Sequence, residues 1–272
     1  MDKAEVKKIL SQLGVRPSKG RGQNFLCDAS SIEKIVDFAK VSSQEKVLEI
    51  GPGLGVMTAQ LLERANEYSF VEVEEKFRNY LLEKFSLAPD KAIERDIREV
   101  ELEGESRLVV SNVPYSISSE VILWCIENRS HISRACLLLQ REFAERIASE
   151  PGERSCGSLS VLRALYGKCR LGAVISGENF LPPAKVESRL LEIEFYREPL
   201  FPEVNQENFE RFVRASFSHR RKTVTNSLAD SKVFGDDKAA LKEKFESVGV
   251  DPGARAENLS LESYVKLAAE FS

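Results

Sequence analysis

Two kinds of apolar run alternate along the N-terminal part of the chain. Residues 47–50, 69–73, 108–111 and 136–139 are short, mostly apolar segments, and residues 92–93 add a shorter one. Between them, residues 56–64, 75–85 and 119–127 carry helical patterns, and residues 30–40 place Ile32, Ile35, Val36 and Ala39 on one helical face. Short buried strands alternating with helices predict an α/β domain whose parallel sheet is covered on both faces. Residues 190–196 alternate like a late strand. Residues 3–13 predict a leading helix, after which Gly14, Pro17, Gly20 and Gly22 break the chain into a loop. The segment 197–202 holds two prolines and reads as a linker; beyond it only helical patterns remain, over 209–217, 221–229, 239–248 and 261–271. The expected organisation is an α/β domain over residues 1–198 and a small all-helical domain over 199–272.

Composition narrows the class. Of 272 residues, 42% are hydrophobic and 30% charged, as in an ordinary soluble protein. No uncharged apolar run approaches the roughly 18 residues of a membrane helix, so no membrane partner is expected. The charged start of the chain, with no apolar stretch behind it, argues against a secretory signal. The five cysteines are widely spaced without a C-x-x-C pair, and the histidines are His131 and His219 alone. Neither a metal site nor a disulfide framework is expected, and a reducing cytoplasm fits best. Net charge is −4, yet cations cluster locally. Lys3, Lys7, Lys8, Arg16, Lys19 and Arg21 face Glu5 alone over residues 3–21, and Arg211, Arg214, Arg220, Arg221 and Lys222 face no acid over 211–222. Phosphate binding depends on such local patches and not on the total.

Candidate chemistry sits at two strand ends. Gly51-Pro52-Gly53-Leu54-Gly55 follows a strand and precedes a helix, where glycines allow a tight turn and close approach of backbone to a ligand. The dinucleotide fingerprint would need Gly or Ala at position 56, which is Val56, so a nicotinamide or flavin is disfavoured. Glu72, 21 residues after Gly51, is placed to accept both hydroxyls of a ribose, and Asp96, after the third strand, to accept an adenine amine. Asn112-Val113-Pro114-Tyr115 follows the fourth strand, at the edge where ligands of open α/β sheets bind. An exocyclic adenine amine is a poor nucleophile because its lone pair is delocalised. Two acceptors on its hydrogens, the Asn112 side-chain oxygen and the Val113 carbonyl, would localise that pair. Pro114 restricts Val113 and so aims its carbonyl. Tyr115 offers a face for stacking, worth ~1–3 kcal/mol per base. The glycine turn, Glu72 and Asp96 in this order resemble S-adenosylmethionine-dependent methyltransferases.

The whole chain resembles a narrower family, the small-subunit ribosomal RNA adenine dimethyltransferases. Gly22 to Asp28 resembles the family's opening motif, and Glu49 to Gly55 its first cofactor motif. Gln140-Arg141-Glu142-Phe143-Ala144-Glu145-Arg146-Ile147 resembles its Q-K-E-V-A-x-R-I stretch. Phe180, Pro182, Val186 and Ser188 match F-x-P-x-P-x-V-x-S; Phe217 to Thr223 with Asn226 matches F-x-x-R-R-K; Gly249 to Pro252 with Arg255-Ala256-Glu257 matches the C-terminal signature. The resemblance implies a Rossmann-like class I methyltransferase sheet with a C-terminal helical domain. It implies transfer of methyl groups from S-adenosylmethionine to N6 of two adjacent adenosines near the 3′ end of small-subunit RNA. Gln23, Asn24, Leu26, Glu49, Gly51, Gly53, Glu72, Asp96 and Asn112 are then expected around the cofactor. Asn112, Val113, Pro114 and Tyr115 should hold the base, with Phe180 as a second aromatic wall, and Arg220, Arg221 and Lys222 should contact RNA. The expected partner, by the same resemblance, is the small ribosomal subunit, met by a cytoplasmic monomer. Ala184 stands where the family has proline, which is expected to loosen the loop carrying Phe180; Ser116 and Glu187 are smaller departures. A resistance-type methyltransferase of large-subunit RNA shares the two strand-end motifs but leaves the C-terminal signatures unexplained. A DNA adenine methyltransferase leaves them unexplained too. An assembly factor acting mainly by binding is the alternative of a different class.

Overall fold

The computed structural model describes residues 1–17, 23–219 and 221–271. They form two compact units, residues 1–144 with 169–195, and residues 145–168 with 196–272. The boundary expected at 198/199 therefore differs, because a segment from the middle of the chain joins the helical unit.

The strands are β1 (Phe25–Leu26), β2 (Lys46–Ile50), β3 (Glu67–Val71), β4 (Ala92–Ile93), β5 (Arg107–Asn112), β6 (Ile132–Gln140), β7 (Gly167–Ile175), β8 (Phe180–Leu181) and β9 (Ser188–Phe195). The helices are α1 (Lys3–Gln12), α2 (Ala29–Ala39), α3 (Thr58–Arg64), α4 (Glu75–Lys84), α5 (Ser118–Glu127), α6 (Arg141–Ala148), α7 (Ser158–Tyr166), α8 (Gln206–Ser216), α9 (Val224–Ser231), α10 (Lys238–Ser247) and α11 (Leu261–Glu270).

The first unit is built on a seven-stranded sheet of order β4-β3-β2-β5-β6-β9-β7. Strands β2 to β6 run parallel, and β9 enters antiparallel against β6. The order reverses between β2 and β5, which opens a crevice at their C-terminal ends. Ser111 Oγ there donates to the Ile50 carbonyl at 2.7 Å and ties the two ends together. Leu48, Val109, Val110, Leu137 and Leu138 are fully buried, as continuous apolar strands of a doubly covered sheet must be. The ribbon β1–β8 pairs Leu26 with Phe180 and Phe25 with Leu181, and the Leu181–Pro182 peptide is cis.

The second unit is helical. The α7 segment is apolar on most sides, burying Val161, Leu162 and Leu165, and it packs on α8 and α11. That apolar surface is why residues 145–168 belong with the late helices. Buried Arg163 donates to the Ile147 and Ser149 carbonyls at 3.2 and 2.9 Å, covering backbone acceptors at the end of α6. Phe212, Phe234, Tyr264 and Phe271 interlock edge-on or tilted in the unit's core.

One polar group lies deep in the first unit. Glu49 on β2 is wholly buried, and its Oε2 accepts from Thr58 Oγ1 at 2.7 Å and Tyr68 Oη at 2.6 Å. The carboxylate thus fastens the start of α3 and the strand β3 to β2, and brackets the glycine turn between them. Its Oε1 has no hydrogen-bond partner. Burial outweighs the two hydroxyls and pushes the Glu49 carboxyl up to about 7, with the Glu72 charge adding to the effect. The folded state therefore keeps this proton above the pH at which the unfolded chain, with an ordinary value of 4.5, has lost it. Its contribution favours folding at low pH and is lost as pH rises from 4.5 to about 7, a change of about 3 kcal/mol. Glu49→Gln cannot ionise, so its stability relative to wild type should rise by about 3 kcal/mol between pH 4.5 and 7.5. Denaturant melts at both pH values test this, and a difference independent of pH would contradict it.

Candidate functional site

A cavity of about 510 Å³ occupies the crevice at the ends of β2, β3 and β5. Its floor is the glycine turn. Gly51, Gly53 and Gly55 all have positive φ, at +63°, +57° and +72°. The two outer glycines serve different ends. A Cβ on Gly51 would meet nothing within 4 Å, because the backbone there faces open space. A Cβ on Gly55 would come within 2.6 Å of Leu81 Cδ2, because the turn is pressed onto α4.

The two acids predicted at strand ends both line the cavity, in different electrostatic states. Glu72 is nearly buried; it accepts from the Gly53 N–H at 3.2 Å and the Glu74 N–H at 2.9 Å. Burial nevertheless raises its carboxyl above the ordinary value. Arg78, itself buried, donates to the Glu72 carbonyl at 3.4 Å and pairs with Glu94 at 2.6 Å, fixing the strand end. Asp96 is clasped by Arg98, whose Nε and Nη2 donate at 2.9 and 2.7 Å and whose backbone N–H adds a third bond at 3.0 Å. The guanidinium holds the Asp96 carboxyl below its ordinary value. Arg98 and Arg95, which sequence reasoning passed over, both line the cavity. So does Val73, 58% exposed beside Glu72.

Gln23, Asn24 and Leu26 close one side of the same space, and Asn112, Val113, Pro114 and Tyr115 close another. The Asn112 amide is oriented by its neighbour. Its Nδ2 donates to the Asn24 backbone carbonyl at 3.3 Å. A carbonyl accepts only from the NH₂ end, so Asn112 Oδ1 is the end left to turn elsewhere. Val113 is set by its N–H, which donates to the Leu138 carbonyl of β6 at 3.1 Å. Tyr115 is half-buried, and its phenol is bonded to Ser188 Oγ at 2.7 Å.

Two expected residues lie elsewhere. Glu49 is turned into the core toward Thr58 and Tyr68 and does not line the cavity, because alternate side chains of β2 face opposite ways. Phe180 is fully buried in the hydrophobic core with Leu26, Ile175 and Leu190, and it does not line the cavity either. Its aromatic ring is held there by the β1–β8 ribbon. Ala184 does not loosen the adjoining loop in the way expected. Its N–H donates to the Gly177 carbonyl at 2.9 Å, a bond proline cannot make.

Among the basic residues, Arg220 lies outside the described residues. Arg211, Arg214 and Arg221 are exposed on the helical unit. Arg211 covers the Phe234 ring at 5.3 Å, and Lys222 is paired with Asp230. No group of residues able to hold a metal ion occurs among the described residues, and none of their helices is long and apolar enough to cross a membrane.

Comparison with known proteins agrees with this geometry. A family model described as ribosomal RNA adenine dimethylase matches residues 16–272. The ribosomal RNA small subunit methyltransferase A of Clostridium botulinum strain Langeland is 34% identical over 270 residues, covering 96% of each chain. That of Desulforapulum autotrophicum is 36% identical over 267 residues, covering 96% of this chain and 94% of the relative. Among solved structures, the 23S rRNA methyltransferase ErmE superposes with a TM-score of 0.68 at 26% identity, covering 91% of this chain and 99% of its own. A dimethyladenosine transferase from Plasmodium falciparum superposes with a TM-score of 0.76 at 23% identity, covering 91% and 97%, a likeness of fold. The sheet is accordingly that of a class I methyltransferase, as the motifs imply. A family match that takes in the glycine turn, the Asn112 segment and the late helices together means that the chain belongs to the ribosomal RNA adenine dimethylase family.

Proposed function

We propose that this chain dimethylates N6 of two adjacent adenosines near the 3′ end of small-subunit ribosomal RNA. The observation that carries the reading is the Asn112 amide, turned by the Asn24 carbonyl so that Oδ1 is its free end, in one cavity with the glycine turn and Glu72. Greater identity to small-subunit relatives than to the large-subunit enzyme favours this substrate over the resistance-type alternative.

S-adenosylmethionine supplies, when bound, a methyl group on a sulfonium whose displacement is favourable. The residues present fit it. The open space above Gly51 admits a ligand against backbone, Glu72 offers carboxylate oxygens to a ribose, and Val73 offers an apolar face to its base. Gln23, Asn24, Leu26 and Gly53 would bound the same group, and Asp96 would share its oxygens between Arg98 and an adenine amine. For the target, Asn112 Oδ1 and the Val113 carbonyl accept the two N6 hydrogens and draw the nitrogen toward tetrahedral geometry, with Pro114 setting the Val113 carbonyl. Rate then comes from positioning and from acceptors fixed before the reaction. The second transfer has one N–H fewer, so one acceptor faces a methyl group. The base reaches the cavity only when unstacked from the RNA, and Tyr115 gives it one ring face. With Phe180 in the core, a second wall requires that ring to turn out.

The helical unit's exposed cations would bind RNA phosphates, in a small ribosomal subunit met by a cytoplasmic, monomeric protein.

Mass spectrometry of nucleosides from small-subunit RNA treated with variant protein tests the pocket. Asn112→Ala should lower kcat about a hundredfold. Asn112→Asp should lose a comparable factor, because it keeps an acceptor but sets a second oxygen against the Asn24 carbonyl. A wild-type rate in either variant rejects the pocket. Salt titration of binding to the small subunit tests the cationic face. Arg221→Ala should reduce the slope of log K against log salt by about 1. Lys222→Ala should reduce it less, because Asp230 already neutralises that lysine. An unchanged slope in Arg221→Ala removes that residue from the interface.

A further inference from the structure

We propose that Ser188 is a positioning residue for methyl transfer: it holds the Tyr115 ring against the cavity through the phenol, so that Tyr115 acts by its face and not by its hydroxyl. The inference rests on the proposed base pocket and deepens it.

Apart from Glu192, which is paired with Arg134 and Arg170, the strand carrying Ser188 is otherwise apolar at its buried positions. Leu190, Leu191 and Ile193 are fully buried, and so is Ser188 at its head. A hydroxyl in such a place is costly unless bonded. The bond here is the 2.7 Å contact with Tyr115 Oη, 73 residues earlier in the chain. Ser188 is itself rigidly placed, because it pairs with Gln140 in the β6–β9 ladder. Two residues before Gln140 on the same strand, Leu138 pairs with Asn112 and accepts the Val113 N–H at 3.1 Å. One strand therefore sets both halves of the base site: Leu138 fixes the segment with the acceptors, and Gln140, through Ser188, fixes the aromatic face.

The consequence for the reaction is geometric. An exposed tyrosine on a turn would swing its ring through χ1, whereas a phenol anchored at its tip fixes the axis of the ring beside the cavity. Burial also pushes the phenol above its ordinary value, so it remains a neutral partner for Ser188. Loosening the ring should matter most in the second transfer, when a once-methylated base must be held in the same place with one hydrogen-bonding N–H fewer.

The experiment compares Ser188→Ala, Tyr115→Phe, their combination and Tyr115→Ala. It measures kcat on small-subunit particles, the ratio of monomethyl to dimethyl adenosine, and S-adenosylmethionine affinity by calorimetry. Ser188→Ala and Tyr115→Phe should each lower kcat roughly tenfold and raise the monomethyl share, with cofactor affinity unchanged. The double variant should be no worse than the poorer single one, since both remove the same bond. Tyr115→Phe with wild-type kcat and product ratio overturns the proposal, and it does so even should Ser188→Ala fold poorly. Losses that multiply in the double variant overturn it as well. Tyr115→Ala separates the two levels. A crippled Tyr115→Ala beside a normal Tyr115→Phe leaves the base pocket standing without Ser188, whereas a fully active Tyr115→Ala takes the stacking role itself away.

Discussion

The glycine-turn side of the site hangs from a buried carboxyl group that never reaches it. Glu49 takes two hydroxyl bonds from α3 and β3 while one of its oxygens goes without a partner. Removing a carboxylate from water is unfavourable, and the two bonds recover only part of that cost. The compensation is geometric. A turn with three glycines at positive φ has little side-chain packing to define it, and the ligand-facing Gly51 touches nothing through its missing Cβ. Fastening Thr58 at its far end to the strand at its near end fixes the turn without placing any side chain in the cavity.

The opposite wall uses a different economy of parts. There the sheet itself is the ruler: β6 sets the Asn112 segment by one carbonyl and the head of β9 by one ladder pair. Polar orientation is finished by single bonds, the Asn24 carbonyl on Asn112 from outside the sheet and the Ser188 hydroxyl on Tyr115 from the head of β9. Each of these contacts joins segments far apart in sequence, so folding of the sheet is a precondition for a competent base site.

What the chain revealed in advance follows from how local each feature is. The central strands were legible because burial on both faces leaves continuous apolar runs, and the Asn112 segment because its chemistry resides in four adjacent residues. The edge strand β7 escaped notice because most of its positions are exposed or half-exposed and it contains Gly172. The helical unit's share of residues 145–168 was hidden because membership depends on what α7 packs against and not on its own pattern. Glu49 and Phe180 were assigned outward by resemblance, whereas their own residue context, a central strand and an apolar ribbon, favours the core where they lie. Ala184 shows the same limit in reverse: the loss of a proline reads as slack until its freed N–H is seen bonded to Gly177.

The cavity's titratable groups also constrain the chemistry. Glu72 and Asp96 are pushed in opposite directions, one by burial and the other by Arg98, so they are not interchangeable acids. Asp96 stays an ionised acceptor, suited to an amine, while Glu72 keeps its acceptor character through two backbone N–H groups. At the other end of the cavity the phenol of Tyr115 is raised by burial and engaged by Ser188, which removes it as a proton acceptor. A reaction at that end is therefore best served by hydrogen-bond acceptors that localise a lone pair and leave the proton to depart after transfer, when the nitrogen carries positive charge. The oxygen of an amide whose NH₂ end is held by a backbone carbonyl satisfies that requirement at any pH where the fold survives, whereas a carboxylate in its place would not.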